Sequence, residues 1–398
     1  MSTPNIFDAV GLDAGSAWTR CVICRLEDNC MRFLGCGSAP SKGWVKGLIA
    51  DQTAVSECML AALREAERNA QVSVEGAVVG VGAAVRGANC RGLHDLGRSR
   101  TVEQRDVNRA VARAKRVLLP EGAMILQMFP QDFVVDGHPG HRDPRKMIAG
   151  QIEANVHLVM TSQREHECVV TAVNQAHLAV QETVFEALAA CYAAVLPEDR
   201  REGAAVLNIG AQSSELVVYY GDALQLAASL PISGGHFTRD VARGLCISFE
   251  DAAILKHEFG CAKADVTAEN SFVEVASREE RDVQRRTLNC ILESRALDLF
   301  QMVRQELARV SMQGALMGGM FLCGGGARLE GMCEVAEEIL KCRVCNALPV
   351  GIQDWPDDLC DPAWTTVAGL AMYSAKLKSQ HEMQRQSYGL LGKILQGN

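Results

Sequence analysis

Val10-Gly11-Leu12-Asp13-Ala14-Gly15-Ser16-Ala17 and, far downstream, Leu207-Asn208-Ile209-Gly210-Ala211-Gln212-Ser213-Ser214 decide how this chain is read. Each is an apolar run that ends in a Gly/Ser turn, after which the chain returns as a second run: Arg20 to Leu26, then Ser214 to Tyr220. Two strands around such a turn make a hairpin. The same unit written twice predicts two similar lobes facing one cleft. A Gly/Ser turn also exposes backbone N–H groups that cradle phosphate oxygens with no side chain in the way. Asp13, just before the first turn, is placed to hold a metal ion through water. A third turn, Gly324-Gly325-Gly326, closes the apolar run Ala315 to Cys323 and leads toward a helix, so a flat ring or a phosphate can approach its backbone closely. Each turn alone reads first as a structural feature; their order carries the reading.

The surrounding pattern is α/β. Thr53 to Asn69 has helical spacing and Gly76 to Val81 reads as a short buried strand. From Val85 to about Met160 the character changes: a helix over Thr101 to Leu118, strands over Ala123 to Val135 and Ala154 to Met160, and a Gly/Pro/His loop over Asp136 to Pro144. This predicts a small inserted α+β domain. The α/β pattern then resumes with a strand over Glu167 to Val173, a helix over His177 to Val195 stopped by Pro197, and a strand over Ala204 to Ile209. Leu224 to Pro231 completes a meander with Ser214 to Tyr220. Gly234-Gly235-His236 opens a helix, Asp282 to Val310 is a long one, Gly331 to Leu340 follows the third turn, and Trp364 to Lys378 is the last main helix.

The 398 residues, 48% hydrophobic and 22% charged, describe a folded chain of two to four domains. A net charge of −8 argues against a nucleic-acid binder and would repel an anionic bilayer, so any membrane contact must be local. No apolar run is long enough to span a bilayer, and no signal peptide is expected. The 16 cysteines fit a reducing compartment. Cys21/Cys24 and Cys342/Cys345 have CxxC spacing but lie in strand-like runs, where positions three apart point to opposite faces; small buried residues are expected there rather than a zinc site.

The order of the turns resembles the actin/Hsp70/sugar-kinase superfamily. Val10 to Ala17 looks like its first phosphate loop, Leu207 to Ser214 its second, and Phe321 to Ala327 with Leu329-Glu330-Gly331 its adenosine motif. Gly234-Gly235-His236 to Asp240 and Thr365 to Leu370 look like the two connecting segments. Further stretches are similar to FtsA, the bacterial actin-like cell-division family: Ser38 to Gly47, Phe129 to Phe133, Ala154 to Leu158, and Lys256 with Phe259 to Ala262. The resemblance covers nearly the whole chain. It implies an actin-like two-lobed ATPase fold with an inserted 1C (SHS2-type) domain. The implied domains are 1A (1–84, 164–200, 363–380), 1C (85–163), 2A (201–245, 315–362) and 2B (246–314), then a linker and tail (381–398). It implies ATP and Mg²⁺ as cofactors, with Asp13 at the metal. The implied nucleotide contacts are Asp13, Gly15, Ser16, Ala17, Asn208, Gly210, Ser213, Gly235, Lys256, Gly324, Gly325 and Gly326. Glu186 matches the acidic residue that orients water in some members; its other reading is a solvated helix residue.

The chain also departs from the pattern. Asn208 stands where relatives usually have Asp, Ala211 and Gln212 where they have Gly, Trp18 where FtsA has Lys, and Ala253 where a Glu lies near the ribose. Metal-assisted hydrolysis needs a placed cation and an oriented water. These losses imply ATP binding with slow hydrolysis, or a degenerate site.

Near the C-terminus, Tyr388, Leu390, Leu391, Ile394 and Leu395 cover an arc of roughly 160° at about 100° per residue, with Lys393 on the other side. A short amphipathic segment on the polar stretch Lys378 to Ser387 suits in-plane bilayer binding. It is similar to the FtsA membrane-targeting helix, and with only Arg385 and Lys393 as cations it needs the avidity of self-association into filaments. Arg285, Arg286 and Arg295 lie in a stretch that resembles the start of the 2B helix that receives the C-terminal peptide of FtsZ; taken singly, each reads first as part of a solvated helix face. The implied role is a scaffold on the cytoplasmic face of the inner membrane at the division site, recruiting later division proteins through 1C. Competing readings are a PilM-like pilus or secretion assembly protein, a sugar or acetate kinase relative, and an Hsp70-type chaperone. The tail argues against the first, Asn208 and Gln212 against the second, and chain length against the third.

Overall fold

The computed structural model describes residues 6–28, 30–82, 84–268, 270–275 and 282–395, with side chains through residue 382. In chain order the elements are β1 (Phe7–Ala14), β2 (Trp18–Glu27), β3 (Cys30–Pro40), the short pair β4 (Trp44–Val45) and β5 (Leu48–Ile49), α1 (Gln52–Ala70), β6 (Gly76–Val81), β7 (Arg86–Thr101), α2 (Gln104–Ala114), β8 (Ala123–Val135), β9 (His138–His141), β10 (Ile148–Ser162) and α3 (Gln163–Gln175). Then follow β11 (Ala179–Phe185), α4 (Glu186–Ala194), α5 (Pro197–Glu202), β12 (Ala204–Ile209), β13 (Ser214–Tyr220), β14 (Ala223–Leu230), α6 (Gly234–Leu245) and α7 (Phe249–Phe259). The chain closes with β15 (Phe272–Glu274), β16 (Asp282–Gln284), α8 (Arg285–Arg309), β17 (Gly319–Cys323), α9 (Met332–Leu340), β18 (Val344–Asn346) and α10 (Thr365–Leu395). Among the described residues no helix is long and apolar enough to cross a membrane.

The chain divides into two compact units. The first holds residues up to 81, 168–194 and from 347 onward. Its sheet runs β11-β6-β1-β2-β3, with β1 parallel to β6, β6 parallel to β11, and β1, β2 and β3 antiparallel in turn. Helix α1 covers one face with Val55, Met59, Ala62, Leu63 and Ala66, a stripe at helical spacing. Asp51 caps its start by accepting from the Ala54 N–H at 3.1 Å. Val367, Ala368 and Ala371 of α10 pack with Ala9, Val22 and Cys24 on the other face. Cys21 joins the α1 core and Cys24 the α10 core, so this CxxC pair does point to opposite sides of its sheet.

The second unit holds residues 82–167 and 195–346. Its sheet begins β18-β17-β12-β13-β14, with β12 parallel to β17, β17 parallel to β18, and β12, β13 and β14 antiparallel in turn. This repeats the pairing scheme of the first sheet strand for strand. The sheet continues through β7, β10, β8 and β9, joined at the Ala228–Arg86 pair and by the Ser229 N–H donating to the Val85 carbonyl. That β7–β10 portion is the inserted α+β segment, with α2 laid on it. Asp106 of α2 is fully buried. It accepts two hydrogen bonds from Arg100 at 2.8 Å each and one from the Glu103 N–H, with His94 at 3.3 Å. The Arg100 bonds hold its carboxyl well below the usual carboxylate range. His157 of β10 is buried too, its Nδ1 2.6 Å from Asn89 Oδ1. Burial, aided by Arg309, lowers it from 6.5 to about 4.

Four expectations are corrected. Glu167 to Val173 is helical, in α3: its β-branched residues suggested a strand, but Val169, Ala172 and Val173 recur at helical spacing and are buried. His177 to Val195 is half strand: Ala179–Phe185 pairs parallel with β6, and only Glu186–Ala194 is helix. The helix expected from Thr101 starts at Gln104, because Thr101 ends β7. The loop at Asp136 to Pro144 contains β9, paired with β8.

Two measurements probe this framework. Asp106→Ala should lower unfolding stability by about 2 kcal/mol or more in urea titration, since it strands Arg100 and removes the start of α2. A neutral folded histidine must take up a proton on unfolding below its ordinary pKa. Stability should therefore fall between pH 6.5 and 4.5, by about 2 kcal/mol for His157, and His157→Gln should flatten that slope.

Candidate functional site

In the first unit, three parallel strands end together. Leu12 pairs with Val79, and Val184 pairs with Gly80, which brings Asp13, Gly80 and Glu186 to the same edge of the sheet. Asp13 is buried at the mouth of its turn, paired in register with Arg20. Loss of water pushes its carboxyl up to about 6, partly offset by Arg20. Gly15, Ser16 and Ala17 form the turn proper and are increasingly exposed along it. Glu186 opens α4, where the helix dipole favours a negative charge. Gly80 was not foreseen. A Cβ there would lie 2.9 Å from Glu186 Cγ, so the glycine leaves room for that carboxylate. Trp18, in place of a lysine, sits 45% exposed beside the turn.

In the second unit the contacts converge more closely. The turn after β12 closes with the Gly210 N–H donating to the Ser213 carbonyl at 2.9 Å. Helix α6 is stapled to it: the Gly234 N–H donates to the Gly210 carbonyl (2.9 Å) and the Gly235 N–H to the Ala211 carbonyl (2.8 Å). Gly235 therefore holds the turn, its N–H already engaged inside the protein, rather than lying open to a ligand as the sequence suggested. Lys256 of α7 reaches the same place, donating to Thr238 Oγ1 at 2.8 Å and the Gly234 carbonyl at 3.3 Å. No carboxylate among the described residues forms an ion pair with it, and burial lowers it to about 8.

The Gly324–Gly326 turn follows β17, the parallel neighbour of β12. A Cβ on Gly324 would collide with Asn208 Oδ1 and the Ile209 carbonyl, and one on Gly326 with the Ile209 side chain. Gly325 meets nothing within 4 Å and has no positive φ to require glycine. The protein's own packing thus explains two of the three glycines. The third leaves bare backbone facing open space.

Asn208, of unusual identity, is explained by a carboxylate that sequence reading passed over. Its Nδ2 donates to Glu215 Oε2 at 2.7 Å, across the register pair Asn208–Glu215, and both are buried. An aspartate at 208 would set two carboxylates against each other in low dielectric. The signal lay in the sequence: Glu215 follows the turn directly, at the start of β13.

The other proposed positions are placed as follows. Arg285 Nε donates to the Phe259 carbonyl at 2.7 Å, and Arg295 pairs with Asp240 and Asp298, so both have partners inside the unit. Arg286 is half-buried on the same helix. Backbone helix α10 continues to Leu395, but Tyr388, Leu390, Leu391, Lys393, Ile394 and Leu395 lie outside the residues whose side chains are described. Among the described residues no cluster of His, Cys, Asp and Glu stands ready as a metal cage.

A duplicated sheet of this pairing, with a Gly turn after the first strand of each copy, defines an actin-like protein. The model of the family described as Cell division protein FtsA matches residues 205–369, and that of the SHS2 domain inserted in FtsA matches residues 82–160. The chain belongs to the FtsA family. It is similar to the cell division protein FtsA of Pseudomonas aeruginosa, with 29% identity over 96% of this chain and 90% of that one. FtsA of Bacillus subtilis is 27% identical over 92% and 83%. The fold is shared with a PilM–PilN type IV pilus biogenesis complex (TM-score 0.67, 19% identity, 92% of this chain and 98% of that one). It is also shared with MreB5 of Spiroplasma citri bound to AMPPNP (TM-score 0.56, 14% identity, 95% and 98%).

The glycine triplet yields a contrast. Gly326→Ala should lower the thermal midpoint through about 1–3 kcal/mol of overpacking, whereas Gly325→Ala should leave it unchanged. Equal effects in calorimetry would contradict the assigned contacts.

Proposed function

We propose that this protein is a cell-division scaffold that binds Mg·ATP with slow or no turnover, self-associates, and anchors FtsZ filaments through their C-terminal peptide to the cytoplasmic face of the membrane. The FtsA relatives support the division role. The observation that carries nucleotide binding is Gly325, a glycine that neither packing nor backbone conformation requires, on a turn packed against Asn208 and Ile209 at the end of β12. Flat backbone there suits an adenine ring or its sugar.

The residues present fit the group in part. In the second unit Lys256, short of water and of counter-charge, suits a ribose hydroxyl or phosphate oxygen. The Gly210 N–H, like that of Gly235, is engaged inside the protein, so in this reading it is Ser213, on the turn that both hold still, that offers backbone to phosphate. In the first unit Gly15, Ser16 and Ala17 supply the matching turn, and Asp13 would hold Mg²⁺ through water. That ion would neutralise phosphate charge when bound. Glu186, at a helix start beside Gly80, would orient a water in this reading. The Asn208 amide adds no negative charge and engages Glu215, so the second turn has less carboxylate to offer a cation. This favours binding over hydrolysis.

The tail from Tyr388 to Leu395 supplies the membrane contact in this reading. In this reading the FtsZ peptide meets the helix face of Arg285, Arg286 and Arg295, where its acidic groups must compete with Asp240 and Asp298 for Arg295. The inserted 82–160 segment is the docking point for later division proteins.

Titration of purified protein with Mg·ATP should show saturable binding at or below millimolar concentration, weakened about tenfold or more by Gly325→Val, with turnover far below that of an active ATPase. No binding at millimolar ATP would leave a scaffold without a nucleotide. Deleting residues 388–398 should release the protein from liposomes, and retention would refute the tail assignment.

A further inference from the structure

We propose that α2 of the inserted domain, with the turn that follows it, is a second membrane contact that binds anionic lipid headgroups and inserts Leu118. Arg105, Arg109, Arg113, Lys115 and Arg116 are all exposed along this helix and its end, in a chain whose net charge is −8. The opposite face is fixed. Asp106, Ala110 and Ala114 are buried, and Gly92 of β7 lets the helix backbone lie directly on the sheet, where a Cβ would collide with the Ala110 carbonyl. The cationic face therefore points away from the protein by construction.

Arg105, Arg109 and Arg113 follow at i,i+4 spacing, where like charges repel. Arg105 is relieved by Glu103, and Arg113 donates to the Leu93 carbonyl. Arg109, Lys115 and Arg116 form no ion pair with any carboxylate among the described residues. An external polyanion is the partner that such a row selects.

Immediately after these charges the chain exposes Val117 and then Leu118, whose relative exposure is 103%. An aliphatic side chain standing clear of its own chain, two residues after the exposed Arg116, is a protruding point rather than a groove. A bilayer interface accepts that shape: headgroup phosphates meet the cations while the aliphatic tip enters the acyl boundary. An acidic peptide would meet the charges but leave Leu118 without a pocket. Glu121, three residues beyond the tip, is the nearest acid in sequence to it. This contact does not depend on the C-terminal tail or on nucleotide.

The test uses the full chain and vesicles of phosphatidylcholine with or without phosphatidylglycerol. Leu118→Trp should shift its emission to the blue, and be quenched by brominated acyl chains, only when phosphatidylglycerol is present. Arg109→Gln/Lys115→Gln/Arg116→Gln should reduce partitioning into those vesicles by at least tenfold, approaching about a hundredfold at low salt, and should leave the thermal midpoint unchanged. Read as the difference from the wild-type chain, whose four tryptophans also emit, and repeated after deletion of residues 388–398, the Leu118→Trp response separates this contact from the tail. Unshifted Leu118→Trp emission together with wild-type partitioning of the triple variant would overturn the proposal. So would a triple variant that binds vesicles normally but loses self-association or capture of an acidic protein, which would reassign the face to a protein partner.

Discussion

The second unit depends on backbone lying against backbone at the ends of β12 and β17. Missing Cβ atoms at Gly324 and Gly326 allow the turn after β17 to rest on Asn208 and Ile209. The staples from Gly234 and Gly235 then tie the turn after β12 to α6, and Lys256 ties α7 to α6. Without those close approaches the strands would still pair, but the turns, the lysine and the bare Gly325 would not converge. Packing glycines of this kind are substituted at a stability cost, whereas Gly325 is free of that constraint.

The same pairing scheme recurs in the first unit, where β1, β6 and β11 bring Asp13 and Glu186 to one sheet edge. A duplicated scaffold does not oblige the copies to keep the same chemistry. The first copy has a buried aspartate with a raised pKa, the second an asparagine clasped to Glu215. The Asn208–Glu215 pair satisfies the fold with a single negative charge where two would repel. The departure from the family pattern is therefore compatible with an intact structure while diminishing what the turn can offer a metal.

Much of this was legible in the sequence because the deciding segments are locally self-consistent. Gly76–Val81, Ala123–Val135 and Ala204–Ile209 are apolar runs bounded by turn residues, and their strand limits match the structure. What sequence hid was settled by distant partners. Ala179–Phe185 reads as helix alone and becomes strand by pairing with β6, while the valines of α3 read as strand and become helix because their buried face lies at i, i+3, i+4. The long β7 carries glycines and arginines that a strand pattern would not select; its identity comes from β10 alongside. At the site, the residue types and turns were visible. The engagement of Gly235 with Ala211, the internal partners of Arg285 and Arg295, and the role of Glu215 were not, because each is a contact between segments.

The most direct examination of the central claim, that the turn at Gly324–Gly326 with Lys256 forms a nucleotide face, is photolabelling with 8-azidoadenosine triphosphate followed by peptide mapping. The account predicts labelling within the peptides containing Gly324 to Arg328 or Lys256, suppressed by excess ATP. Labelling confined to other segments, or insensitive to ATP, would contradict it.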